Sequence, residues 1–306
     1  METTIRSSQF AEAAAHAAAQ KRQRARNSWF SRMGVHLLLL LLSIMSLVPV
    51  LWMISSSLKA STEIFVTPIE WLPRTPRWEN YPAIFARAPI MLYFWNTMII
   101  CVFSVLGVLL SSSLVAFSFS RLRWPGRNFF FGLLLATMML PGIILIVPRF
   151  LMFSYIFRWP GPWIGSFLPL IVPMFFATNG IYVFLIRQFF LGIPVELEDA
   201  ARMDGANSLR ILWQIFIPLS KPVMIAVVIL TFMQVYNEFL EPLVYLKPTT
   251  WTLAVGIRAM NDAAYATSWE LVFATGTFML APMVIIFFAA QRYFVEGVTL
   301  SGFGGR

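Results

Sequence analysis

Six stretches of this chain, at about 34–57, 93–118, 129–156, 164–186, 222–246 and 271–294, are each long and predominantly apolar. A helix that crosses a bilayer needs roughly 20 such residues. Inside hydrocarbon every backbone N–H and C=O must find its partner within the protein, which leaves helices or a closed barrel. The alternation over about ten residues that marks barrel strands is absent from these stretches. The expected fold is therefore all-α, a polytopic membrane protein with about six transmembrane helices.

Composition agrees with that reading. Of the 306 residues, 58% are hydrophobic and 12% charged, against about 25% charged in soluble domains. A formal charge of +9 would suit nucleic acid, but the positions of the basic residues fit membrane topology better. If the N-terminus lies inside, Arg121, Arg123, Arg127, Arg187, Arg202, Arg210 and Lys221 all fall on the inner side, and the overall inner-to-outer bias of Lys and Arg is about two to one. Both termini and the 187–221 loop are then cytoplasmic. Cys101, the single cysteine, excludes an intrachain disulfide. His16 and His36 are too few for a metal site, and no Ser/His/Asp set is plausible.

Residues 1–32 form a basic, Ala-rich stretch, expected to be a retained cytoplasmic tail ahead of a transmembrane domain spanning 33–306. Its following apolar run is longer than the core of a signal peptide. Pro49, Pro141, Pro148, Pro169, Pro173 and Pro282 interrupt the apolar stretches. Each removes a backbone donor and tends to kink its helix, and six of them favour a protein that moves or lines a path. The Pro- and Trp-rich segment 59–93 is too polar to span, and is expected along the outer surface with the segment at about 247–270.

Between the fourth and fifth apolar stretches lies a polar island, Ile193 to Ala206, reading I-P-V-E-L-E-D-A-A-R-M-D-G-A. Pro194 suits a first helical turn. Glu196, Glu198 and Asp199 favour the positive end of the helix dipole. Gly205 can take the left-handed conformation that ends a helix. The island thus encodes a short capped helix, followed by a return at Ile215-Phe216-Ile217-Pro218-Leu219-Ser220-Lys221-Pro222. Together these residues resemble the "EAA" coupling loop of permease subunits in binding-protein-dependent ABC importers, and most closely the carbohydrate branch, of MalG-like type. Asp199 stands where a second Glu is common, and Ile217 where Leu is usual. Ser57-Leu58-Lys59, Glu63-Ile64-Phe65, Glu79-Asn80-Tyr81, the approach Phe184 to Phe190, and Tyr293 to Gly297 are also similar to that family. The tail lacks the lysine common near Ser301.

The resemblance implies an ABC type I importer permease fold with a cytoplasmic coupling helix in a loop at about 192–222. It implies that Glu198, Ala200, Ala201, Asp204, Gly205 and Ala206 contact an ATPase subunit. It further implies three partners: a MalF-like second permease, a homodimeric ABC ATPase and an extracytoplasmic solute-binding protein, with lipid around the spans. ATP and Mg would be held by the ATPase, with no cofactor in this chain. The absence of G-x-x-x-x-G-K-[ST] agrees, so no enzyme activity is expected here.

Gln234, Asn237, Glu238 and Glu241 follow an i, i+3, i+4, i+7 spacing, one face of a helix. Ionisable groups inside a span are costly and face a cavity or another helix. With Asn179 of the fourth stretch they either border a translocation path for a polyhydroxylated solute or contact the partner permease, or Glu241 already sits in outer water. Arg149 either snorkels to the outer interface or pairs with an acid such as Glu241. The function expected is import of a sugar or oligosaccharide. The alternatives are a self-sufficient secondary transporter or channel, or an ABC importer for glycerol phosphate or a polyol.

Overall fold

The structure is a computed structural model that describes residues 32–157, 161–258 and 268–302. All but the last residue of the tail expected at 1–32 lies outside the described residues, as do 259–267 of the outer segment and the end of the chain, 303–306. Among the described residues the secondary structure is helical throughout. Four helices are long and apolar enough to cross a membrane alone, and two bent helix pairs bring the number to six. The spans are α1 (Arg32–Ser57), α3 (Ile90–Arg121), the pair α4 (Arg127–Thr137) and α5 (Gly142–Ile156), the run Leu168–Leu191, the span α10 (Lys221–Asn237) preceded by α9 (Ser208–Leu219), and α13 (Trp269–Gly302). Within the fourth span, α6 (Leu168–Ile171) runs on as 3-10 turns over Val172–Phe176 before α7 (Gly180–Leu191). Besides a single turn at Ser61–Ile64, the shorter helices are α2 (Asn80–Arg87), α8 (Val195–Met203), α11 (Leu240–Tyr245) and α12 (Leu253–Gly256).

The central helix is α3, which packs against α7, α10 and the 172–176 turns. Its buried face carries Ser104, Gly107, Ser111, Ser112 and Ser113. Small side chains let helices approach closely where lipid provides no hydrophobic drive. Ser111 Oγ shows how close, donating to the Met174 carbonyl at 2.9 Å. Beyond the opposite end of α3, the segment before α12 is tied down by Asn96, whose amide donates to Trp251 O at 3.0 Å. Thr97 Oγ1 accepts the Leu253 N–H at 2.8 Å. By contrast α1 stands clear of the bundle over its most apolar window, and Met53 packs over Gly276 of α13.

The prolines act unequally. Pro141 marks a real break, where α4 and α5 meet at 95°, so the third apolar stretch is a bent pair and not one straight helix. α13 instead runs through Pro282. The Tyr236 hydroxyl donates to Met279 O at 2.9 Å, within the turn that the proline loosens. The family-like motifs after the first span come together. Asn80 Nδ2 donates to Ser57 O (2.9 Å) and Lys59 O (3.0 Å), covering carbonyls at the end of α1. Tyr81 Oη lies 2.9 Å from Ser57 Oγ. Lys59 is fully buried, its ammonium 4.0 Å from the Trp52 ring centre and donating to Glu70 O.

Candidate functional site

The polar island folds as the capped helix its sequence encodes. Pro194 sits one residue earlier than expected, at the N-cap with φ −55° and ψ 137°, and Glu196 and Glu198 occupy the first turn. At the other end Gly205 has φ +77°. Ala206 N donates to Ala201 O at 2.9 Å and Gly205 N to Arg202 O at 3.0 Å. That pair of bonds is the Schellman arrangement, and Ala201 and Ala206 both pack against the same core cluster. Asn207 then caps α9 through Oδ1, which accepts the Arg210 N–H at 2.8 Å. α9 widens into a π turn over Leu212–Phe216 ahead of Pro218, and the chain bends by 82° into α10 at Ser220.

The six island residues divide by face. Ala200, Asp204 and Gly205 are exposed, together with Glu196, Asp199 and Met203; Met203 is 89% exposed. Ala201 and Ala206 are half-buried against the core formed by Phe117, Phe190, Ile211, Leu212 and Phe216. Glu198 is 7% exposed and turns back to the bundle. Its Oε1 accepts from Arg202 at 2.7 Å, and its Oε2 lies 3.9 Å from an Arg121 nitrogen.

Arg121 is the hinge point of this arrangement. It ends α3, and its guanidinium donates to the carbonyls of Phe190 and Ile193, at the end of α7 and the entry to α8. It also lies 4.9 Å from the centre of the Phe216 ring. Phe117, Phe190 and Phe216 meet edge-to-face in all three pairs, at 6.4, 5.1 and 5.2 Å. One buried cation thus ties the central helix to the end of α7, the start of α8 and the core face of α9. Such a cation is sustained by hydrogen bonds and a paired carboxylate, without which its burial would be prohibitive.

The second candidate group is only partly assembled. Gln234 Oε1 accepts from Tyr182 Oη at 2.8 Å and from Asn179 Nδ2 at 3.2 Å, linking α10 to the start of α7. Asn237 is exposed and donates to Met233 O, one turn back. The single helical face through Glu241 does not form. α10 stops at Asn237, and Glu238 is extended with ψ 126°. The Glu238 carboxylate instead accepts the N–H groups of Leu240 (3.0 Å) and Glu241 (3.3 Å), capping α11. Glu241 pairs with Arg149 of α5 at 2.7 Å, which decides between the two readings of that arginine.

A family model described as "binding-protein-dependent transport system inner membrane component" matches residues 104–300. The chain belongs to this family. It is 30% identical over 278 residues to the arabinooligosaccharides transport system permease protein AraQ of Bacillus subtilis, covering 90% of this chain and 96% of that protein. It is 34% identical to AraQ of Halalkalibacterium halodurans, covering 84% and 91%. It is 32% identical to the sn-glycerol-3-phosphate transport system permease protein UgpE of Yersinia enterocolitica, covering 78% and 85%. Among solved structures, a chain of a bacterial ABC transporter involved in the import of alginate has the same fold, with TM-score 0.73, 24% identity, and coverage of 85% of this chain and 94% of that one.

The protein is therefore a multi-pass inner membrane permease of a binding-protein-dependent ABC importer. It belongs to a family of permease subunits that are not themselves catalytic, in which ATP is bound by a separate ATPase and transport depends on a binding protein. The feature of this permease that sequence reasoning missed is Arg121. In the chain it reads as one of several positive-inside arginines. The available signal was its place as the last residue of a long apolar helix, with the acidic island the next source of a counter-charge downstream.

Proposed function

We propose that this permease forms one half of the membrane channel of an importer for a sugar or oligosaccharide, and that its partner half is a distinct, MalF-like chain. Residues 33–306 form the membrane domain, and the tail at 1–32 and both termini face the cytoplasm. A homodimeric ABC ATPase docks on the outward face of α8, with Ala200, Asp204 and Gly205 in the contact and Met203 as an apolar knob. Ala201 and Ala206 hold the helix to the bundle. Glu198 acts from the buried side, with Arg121, so that a push on α8 reaches α3, α7 and α9 as one body.

The observation that carries this reading is the construction of α8: begun at Pro194 and closed by the left-handed turn at Gly205, anchored through a buried ion pair, and exposed on one face. A carrier working alone has no use for such a helix. The group of Asn179, Tyr182 and Gln234, with Asn237 beside it, supports a path lined by amide and hydroxyl groups, suited to a polyhydroxylated solute. Glu238 and Glu241 shape the outer end of that path through the α11 cap and the Arg149 pair. Oligosaccharide cargo is favoured by the similarity to AraQ proteins. Glycerol phosphate is the second reading, carried by the similarity to UgpE.

Uptake by proteoliposomes holding the complete importer and its binding protein tests the cargo. ATP-dependent accumulation of a labelled oligosaccharide, with none of glycerol 3-phosphate, is expected. The reverse pattern would move the assignment to the second reading.

A further inference from the structure

We propose that the loop joining α3 to α4 holds the headgroup of an anionic phospholipid. An open depression of about 310 Å³ lies there, lined by Arg123, Trp124, Gly126, Arg127, Asn128 and Phe129. Residues 119–131 contain three arginines and no carboxylate. The charge of Arg121 is taken up by Glu198. Arg123 is exposed and has no carboxylate partner among the described residues. Among the described residues Arg127 donates only to the Leu122 carbonyl of its own loop, at 3.3 Å. Nearby, Arg187 lies 4.0 Å from the centre of the Phe131 ring and donates to Phe119 O, so its charge adds to the same field. The start of α4, whose N-cap Gly126 offers no side chain, presents the positive end of a helix dipole.

A basic depression of this kind could take an acidic protein surface or a lipid phosphate. The neighbouring side chains favour lipid. Phe129, Phe130 and Leu133 are 71%, 50% and 52% exposed on α4, and α4 is the first half of a membrane span. Acyl chains can lie along that apolar track while the phosphate sits between Arg123 and Arg127. An aqueous partner would leave the same track uncovered. Trp124, half-buried with its indole N–H on Ser118 Oγ at 3.1 Å, matches the amphipathic aromatics found at headgroup depth. Basic residues at the cytoplasmic surface attract anionic lipid, and here two of them converge on one cavity. The inference needs the chain to span the membrane, but it is independent of the cargo.

The test is native mass spectrometry of the purified importer titrated with phosphatidylglycerol or phosphatidylcholine. The wild-type complex should retain phosphatidylglycerol in preference to phosphatidylcholine. R123Q and R127Q should each weaken that retention about fivefold, the equivalent of ~1 kcal/mol per basic residue at an anionic leaflet. The double variant should lose the preference, and R123K should keep it. F129S should also weaken retention, since it removes part of the acyl track. Equal retention by wild type and the R123Q/R127Q complex would overturn the proposal. So would dissociation of the ATPase on R123Q, which would assign the loop to a protein contact. Inorganic phosphate that displaces the lipid, with F129S without effect, would overturn it in favour of a free-anion site.

Discussion

Replacing Arg121 by Met should free α8 from the bundle without unfolding it. The Arg121 side chain is 6% exposed, and its guanidinium serves the Phe190 and Ile193 carbonyls as well as Glu198. Removing one partner of a buried pair costs about 3–5 kcal/mol. Glu198 keeps Arg202 at 2.7 Å, so the lower end applies, at ~3 kcal/mol. At 1.4 kcal/mol per factor of ten, that is a rise of about 100-fold in the opening of α8. Amide hydrogen exchange of residues 196–206 in the assembled complex reads this opening directly. R121M should lower protection there by about two orders of magnitude, with the middle of α3 unchanged. E198Q keeps an acceptor and should cost less. The double variant should fall short of the sum by ~1–2 kcal/mol, because the two side chains share one interaction. Additive effects, or protection in R121M within about twofold of wild type, would refute the idea that this cation anchors α8.

Three further outcomes follow from the same geometry. Gly205→Ala meets open space around its new Cβ but must hold φ +77°, so it should cost ~1–2 kcal/mol of cap stability, seen as weaker ATPase stimulation by loaded binding protein in an intact complex. Asn80→Ala removes both hydrogen bonds to the end of α1 and should cost ~1–3 kcal/mol, read as faster proteolysis of the 60–79 segment. Gln234→Leu strips the acceptor shared by Tyr182 and Asn179 and should lower uptake at limiting substrate while leaving complex assembly and basal ATP hydrolysis unchanged.

The number of spans, the capped island and its glycine were legible in the chain because each rests on a local signal: length in hydrocarbon, cap chemistry, positive φ. The face that each island residue presents was not. Glu198 looks like its neighbours Glu196 and Asp199 until the end of α3, over seventy residues earlier, brings Arg121 beneath it. The stripe after Gln234 failed for a related reason. Its spacing assumed one continuous helix, whereas the Glu238 side chain caps a new helix and ends that periodicity. Pro141 and Pro282 read alike in sequence, yet one breaks its span and the other does not. The difference lies in whether neighbouring helices support the loosened turn, as Tyr236 does for α13.

The most direct measurement is isolation of the tagged chain from its native membrane in mild detergent, with mass spectrometry of what accompanies it, for wild type and for Gly205→Asp. An ATPase and a second permease should accompany the wild-type chain, and the ATPase should be lost from the variant while the permease pair persists. A chain that comes away alone, and that drives uptake on an ion gradient without ATP, would contradict the role assigned to α8.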